Sequence, residues 1–293
     1  MGLIHPASPS WAYCSHNIPA PPAATTVGTQ CTPGGSNSDG TAAALLSALS
    51  HDAEYLRLSF TLDTSQSPSG VDADIMASIL IDPAGGTSWS TLIPNLILGG
   101  LSQVGTVGAG TTGSSCMFDF PLWIPAGASL GIQARCASSG AIPLLRTVAF
   151  AYGGNANPAS WWCGQRITDI GTSPSTSNGT LHTAGNSGSF SSWTDFGSTL
   201  AADCGALQFA VGGEGDATWG AGGTSTVQYQ FEFGVGGVQV GGPIFKEVTT
   251  SEAGWSLMPG LIFKRLAAGT QLQARGTCSG TAQGMGVAAY AVH

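Results

Sequence analysis

Residues 127 to 131, GASLG, fit the G-x-S-x-G pattern that presents a nucleophilic serine in hydrolases, with Ser129 in the reactive position. That chemistry needs the serine on a sharp turn between a strand and a helix, with an acid and a histidine later in the chain. Ser129 instead opens an alternating, strand-like segment, and a similar segment further on has Gln271 at the matching place. Residues 108 to 113, GAGTTG, are formally G-x-G-x-x-G, but Pro121 and Pro125 follow too soon for a helix that would receive a pyrophosphate. His5, His16, His51, His182 and His293 lie far apart, and His51-Asp52-Ala53-Glu54 imitates part of a metal site without its remaining ligands. Asp63 with Asp72 and Asp74, or Glu214 with Asp216, could hold Ca²⁺ weakly in loops, yet neither group has the ligand series of an EF-hand. No catalytic, cofactor-binding or metal-ligating residue is assigned, and the expectation is a protein that is not an enzyme and carries no cofactor.

Tryptophan offers a different chemistry. Trp161, Trp162, Trp193, Trp219 and Trp255 place most of the tryptophans in the second half of the chain. Aromatic rings in β-proteins fill cores and interfaces, but an exposed row can stack on sugar rings, which makes Trp193 and Trp219 candidate glycan contacts. Asn178-Gly179-Thr180 is a glycosylation sequon only in a secretory setting.

Charge and composition narrow the partners. The chain of 293 residues has a formal net charge of -8 and only 8 Lys and Arg. Arg57, Arg135, Arg146, Arg166, Arg265 and Arg275 are scattered, so no clustered cations are available for a nucleic-acid backbone. Apolar residues come in short blocks broken by Gly, Ser, Thr and Pro, well below the roughly 20 in a row that a membrane-spanning helix requires. The first 22 residues lack the basic and apolar regions of a signal peptide, so synthesis and assembly in a cytoplasm are expected. The 7 cysteines form no C-x-x-C pair and read as small buried thiols; pairings such as Cys14 with Cys31 or Cys116 with Cys136 stay open.

The elements that would position these side chains come twice. IPAGASLGIQARCASSG (124 to 140) is echoed by LAAGTQLQARGTCSG (266 to 280). Without gaps, Ala126, Gly127, Leu130 and Cys136 fall on Ala268, Gly269, Leu272 and Cys278; with a two-residue shift, Gln133-Ala134-Arg135 falls on Gln273-Ala274-Arg275. Both offsets keep the same strand face inward, because side chains alternate with a period of two. Fainter echoes join residues 53 to 62 with 204 to 213, and 147 to 154 with 287 to 293. Ile75, Ala77, Ile79 and Ile81 answer Val227, Tyr229, Phe231 and Phe233.

Two units of roughly 130 to 140 residues are of ordinary domain size. The expected organisation is an extended N-terminal arm (1–22), a first β-sandwich (23–154) and a second (155–293), with a boundary in the turn-rich segment 153 to 160. Nearly every readable element is a strand, and short strands between Gly-rich turns indicate an all-β fold of two tandem antiparallel, jelly-roll-like sandwiches. One stretch, residues 41 to 56, has roughly helical spacing and is expected as a short helix or a crossing loop. The IPAG and LAAG segments act as turns in which Gly supplies the unusual backbone angles that launch the next strand.

The duplicated sandwich pattern, the low charge and the I-P-A-G-x-x-L-x-I-Q-A-R phrase at 124 to 135 together resemble structural proteins of tailed-bacteriophage virions. The second copy, which lacks the Pro, matches more loosely. The resemblance implies a non-enzymatic capsid decoration (cement) or head-fibre subunit that meets other virion proteins, major capsid or tail proteins, and itself. It implies a homo-oligomer, trimers being common among such parts, located in the virion after assembly in the host cytoplasm. The alternative is a tail fibre or receptor-binding protein whose second domain recognises a cell-surface glycan. The Pro-rich arm, with Ile4, Trp11, Tyr13 and Ile18, is expected to dock on a neighbouring subunit.

Overall fold

Leu56, Leu58 and Phe60 are fully buried, while Tyr55, Arg57, Ser59 and Thr61 between them are half-exposed, the two-residue period of a strand with one wet face. Such strands build the whole protein. A computed structural model describes residues 11–14, 28–63, 75–98, 115–137, 144–153, 162–214, 227–248, 253–257, 260–280 and 284–293. Among these there is no helix. The stretch with helical spacing, 41 to 56, is instead two strands and a turn, because Leu45, Leu46 and Leu49 are buried as the chain crosses from one sheet to the other. The proposed boundary segment falls almost wholly outside the described residues.

The first copy contains β1 (Trp11–Cys14), β2 (Thr29–Cys31), β3 (Ala43–Leu46), β4 (Ala53–Asp63), β5 (Ile75–Asp82), β6 (Ser90–Ile97), β7 (Ser115–Phe120), β8 (Ser129–Cys136) and β9 (Leu144–Gly153). One antiparallel sheet runs β1-β9-β4-β7, with β2 also on β9; the facing sheet runs β3-β8-β5-β6. The second copy contains β10 (Ile167–Ile170), β11 (Thr172–Ser173), β12 (Asn178–Thr183), β13 (Thr194–Asp195), β14 (Cys204–Glu214), β15 (Val227–Val235), β16 (Val238–Val248), β17 (Ala253–Leu257), β18 (Ile262–Leu266), β19 (Gln273–Cys278) and β20 (Gly284–Val292). Its sheets run β11-β12-β20-β14-β18, with β10 also on β20, and β13-β19-β15-β16-β17. Strand for strand this is the jelly-roll order of the first copy, with β11 and β17 as additional edge strands.

The repeated turns are built alike. Gly127 (φ 86°) and Gly269 (φ 80°) occupy the left-handed region that favours glycine. Gly127 N–H donates to Leu49 O at 2.7 Å, and Gly269 N–H donates to Leu200 O at 2.8 Å. The amides of Ala126 and Ala268 donate to the carboxylates of Asp52 and Asp203, at 2.7 and 2.8 Å. Asp52 is therefore a turn clamp. A second repeated device escaped the sequence reading: Gly34 and Gly185 each form a parallel bridge, to Arg135 and Thr277, ahead of a turn with two positive φ angles, Ser36-Asn37 and Ser187-Gly188. Cys136 N–H donates to Gly34 O and Cys278 N–H to Gly185 O, which fixes the ungapped alignment and rejects the two-residue shift. The Ile75 series is displaced by two as well: Ile75 faces Cys136 and Tyr229 faces Cys278, so Ile75 corresponds to Tyr229.

The two sandwiches share a core. Ala206, Ala210, Ala288, Tyr290 and Val292, on the outer face of the β14–β20 sheet, join the buried cluster of the first copy; Leu207, Phe209, Val211 and Val287, on the inner face, belong to the second copy's own core. This sheet is buried on both sides, which is why Ala206 to Val211 and Met285 to Val292 contain so few polar residues. By contrast, β9 alternates strictly between half-exposed and buried positions. Two polar side chains of the doubly buried sheet satisfy the open strand edges of the first copy. Gln208 Oε1 accepts from Asp119 N–H on β7 (3.0 Å), and the Tyr290 hydroxyl accepts from Ile97 N–H (2.7 Å) and donates to Asn95 O (2.9 Å) on β6.

One buried position differs between the copies in a way that can be tested. Thr147 is fully buried and its hydroxyl has no hydrogen-bond partner, whereas the equivalent β20 position is Val287. Thr147→Val is expected to raise stability by about 1 kcal/mol, read as a higher urea midpoint; a lower midpoint would mean that the hydroxyl is satisfied in solution.

Candidate functional site

Register identifies a face on which the two copies differ. Gln208 pairs with Tyr290 across β14 and β20, and Arg57 pairs with Phe150 at the equivalent place on β4 and β9. In the second copy this pair plugs the edges of a neighbouring sandwich. In the first copy Arg57 and Phe150 lie on a half-exposed face with Tyr55, Val148 and Tyr152, and Met117 beside them on β7 is 50% exposed. Phe150 stacks on Tyr152 with centroids 6.3 Å apart, and Tyr55 tilts against Tyr152 at 6.2 Å. Arg57 makes a two-pronged ion pair with Asp119, at 2.7 and 3.2 Å. That hydrogen bond raises the Arg57 pKa above its ordinary value, while burial, and then Asp119, raises that of Tyr55. The result is an aromatic platform in which the charge of Arg57 is neutralised by Asp119, a composition suited to burial against another protein surface.

The arm meets this same sheet. Trp11–Cys14 pairs antiparallel with β9, Trp11 opposite Gly153 and Cys14 opposite Phe150. The main chain of residues 11 to 14 is therefore taken up by its own subunit, because β9 offers a free edge beyond the short β2. Ile4 and Ile18 lie outside the described residues.

The other sequence candidates separate as follows. Ser129 is buried and donates to Gly86 O at 2.6 Å, a structural hydrogen bond that opens β8. GAGTTG, Asp72, Asp74, Asp216, Trp161 and Trp219 lie outside the described residues. Cys31, Cys116 and Cys136 are buried thiols outside any disulfide, so neither contemplated pairing forms. Asn178 is buried, with Oδ1 accepting from Gly179 N–H, and offers no glycosylation site. His182 is buried against Phe231 and Ser191, and desolvation lowers its pKa. Trp193 covers Gly234 and lies 4.6 Å from the Arg275 guanidinium, which is also 4.6 Å from the Phe190 ring and is pinned by Glu232 at 2.7 Å. This stack commits one face of the Trp193 ring to the protein itself.

No model of a known protein family matches the chain, and no curated protein matches its sequence. Solved structures with some likeness include PNGF-II in space group P21, at TM-score 0.40 and 10% identity over 92% of this chain. The chain spans 63% of the length of that protein. The major capsid protein P2 of bacteriophage PM2 is similar at TM-score 0.27 and 10% identity, covering 88% of this chain and 97% of that one. A chain of the T13 IBDV viral particle is similar at TM-score 0.27 and 11% identity, covering 97% and 39%. At such identities and scores these are likenesses of β-architecture and assign no activity.

Proposed function

We propose that the chain is a non-enzymatic structural subunit of a phage particle, a capsid decoration (cement) or head-fibre protein, that assembles with copies of itself and with capsid or tail proteins in the virion. One observation carries this reading. Inside the chain, one jelly roll already uses the outer face of its β14–β20 sheet to close the strand edges of another, and the equivalent face of the first copy stays half-exposed with Phe150, Tyr152 and Tyr55 upon it. A face of that composition in the position of a working interface fits a second copy of the chain.

The test uses the full chain. Wild type is expected to run as an oligomer by light scattering, and Phe150→Glu with Tyr152→Glu to reduce it to single chains, because each places an unpaired carboxylate in the contact. Since both sites are half-exposed, the fold should lose no more than about 1 kcal/mol. A single-chain wild type, or an oligomer indifferent to both changes, would overturn the reading.

A further inference from the structure

The duplication exposes a second site by comparison of its copies. Glu54 follows Ala53 in the first copy, and Gly205 stands in its place after Cys204 in the second; Trp123 of the first copy is answered by Arg265 on β18. Into the room left by the missing side chain comes Trp162, whose ring lies so close to Gly205 that a Cβ there would meet it at 2.5 Å. A half-open cleft of ≈ 460 Å³ results, lined by Trp162, Asp203, Gly205, Arg265 and His293 among others, a size within the roughly 300–1,000 Å³ of small-ligand sites.

Two of the lining groups are held by the protein itself. The Asp203 carboxylate is anchored by Ala268 N–H at 2.8 Å. His293 Nδ1 lies 2.9 Å from Asp203 O, an acceptor only, so Nδ1 carries a proton, and Nε2 is hydrogen-bonded to Thr168 Oγ1 at 2.6 Å. Both ring nitrogens are thus engaged within the protein, which makes His293 a wall rather than an acid or base. Arg265 is exposed and pairs with no carboxylate among the described residues. Trp162 is 40% exposed, an indole face beside one cation and one anion.

We infer that this cleft binds an uncharged pyranose unit. The indole offers a flat surface for the C–H face of a sugar ring. Arg265 and Asp203 supply a donor fork and an acceptor for vicinal hydroxyls, with opposite charges that give a neutral ligand the advantage over an anion or a cation. This goes beyond the structural role and does not rest on it: a particle subunit that never self-associated could still hold the sugar.

Saturation-transfer NMR with the methyl glycosides of glucose, galactose, mannose and N-acetylglucosamine, at millimolar concentration, tests it on the full chain. At least one is expected to receive transfer on the protons of one ring face and to change tryptophan fluorescence saturably. Trp162→Ala and, separately, the surface change Arg265→Ala should each weaken that binding by about tenfold, with Trp193→Ala leaving it unchanged. No transfer to any of the glycosides, or transfer that survives Arg265→Ala undiminished, would overturn the assignment.

Discussion

Tyr290→Phe is expected to lower global stability by about 2 kcal/mol, and Tyr290→Ala by about 4 kcal/mol, measured by urea unfolding. The hydroxyl is the hydrogen-bond partner for Ile97 N–H and Asn95 O at the edge of β6, and the ring sits edge-on to Phe118 and Phe120 at 5.8 and 6.3 Å. Removing the oxygen alone strands a buried main-chain N–H and leaves a part-buried carbonyl without its donor; removing the ring also opens a cavity between the copies. The equivalent residue of the first copy provides the control. Phe150 is half-exposed, so Phe150→Ala should cost the isolated chain less than half as much. Equal losses at the two positions would contradict the asymmetric use of the two sheets.

Gly185→Ala is expected to cost about 3 kcal/mol or more. A Cβ there would lie 2.0 Å from Ser189 O, a main-chain atom held by the turn itself, and Gly34 has the same relation to Ser38 O at 2.3 Å. Gly188, three residues on, isolates the conformational part of the effect. It has φ 83° but nothing within 4 Å of a Cβ, so Gly188→Ala should cost only about 1 kcal/mol. Thermal or urea unfolding of both variants checks the contrast; similar small losses would show that the turn relaxes around the methyl group.

Much of this architecture was legible because burial writes a period into sequence. The alternation at Leu56, Leu58 and Phe60 announced a strand with one wet face, and the IPAG and LAAG phrases marked turns whose glycines indeed have positive φ. Register was harder. A shift of two residues preserves every inward position, so Gln133-Ala134-Arg135 and the Ile75 series could be matched two ways until the bridges of Gly34 and Gly185 decided it. The helical spacing around Leu45 and Leu49 misled because two short buried segments on either side of a turn mimic a helical stripe. Double burial of β20 was encoded in AAYAV, but a continuous apolar run does not say what covers its second face. The Trp162 cleft was illegible for a simpler reason: Trp162, Asp203, Arg265 and His293 are far apart in the chain, and the feature that admits the indole is an absent side chain at Gly205.

A cryo-EM reconstruction of the assembled full-length chain addresses the structural proposal most directly. The proposal requires Phe150, Tyr152 and Tyr55 to be buried against a neighbouring copy, with the β14–β20 sheet still closed inside each chain. Particles in which that aromatic face is bathed by solvent while other surfaces hold the copies together would contradict it.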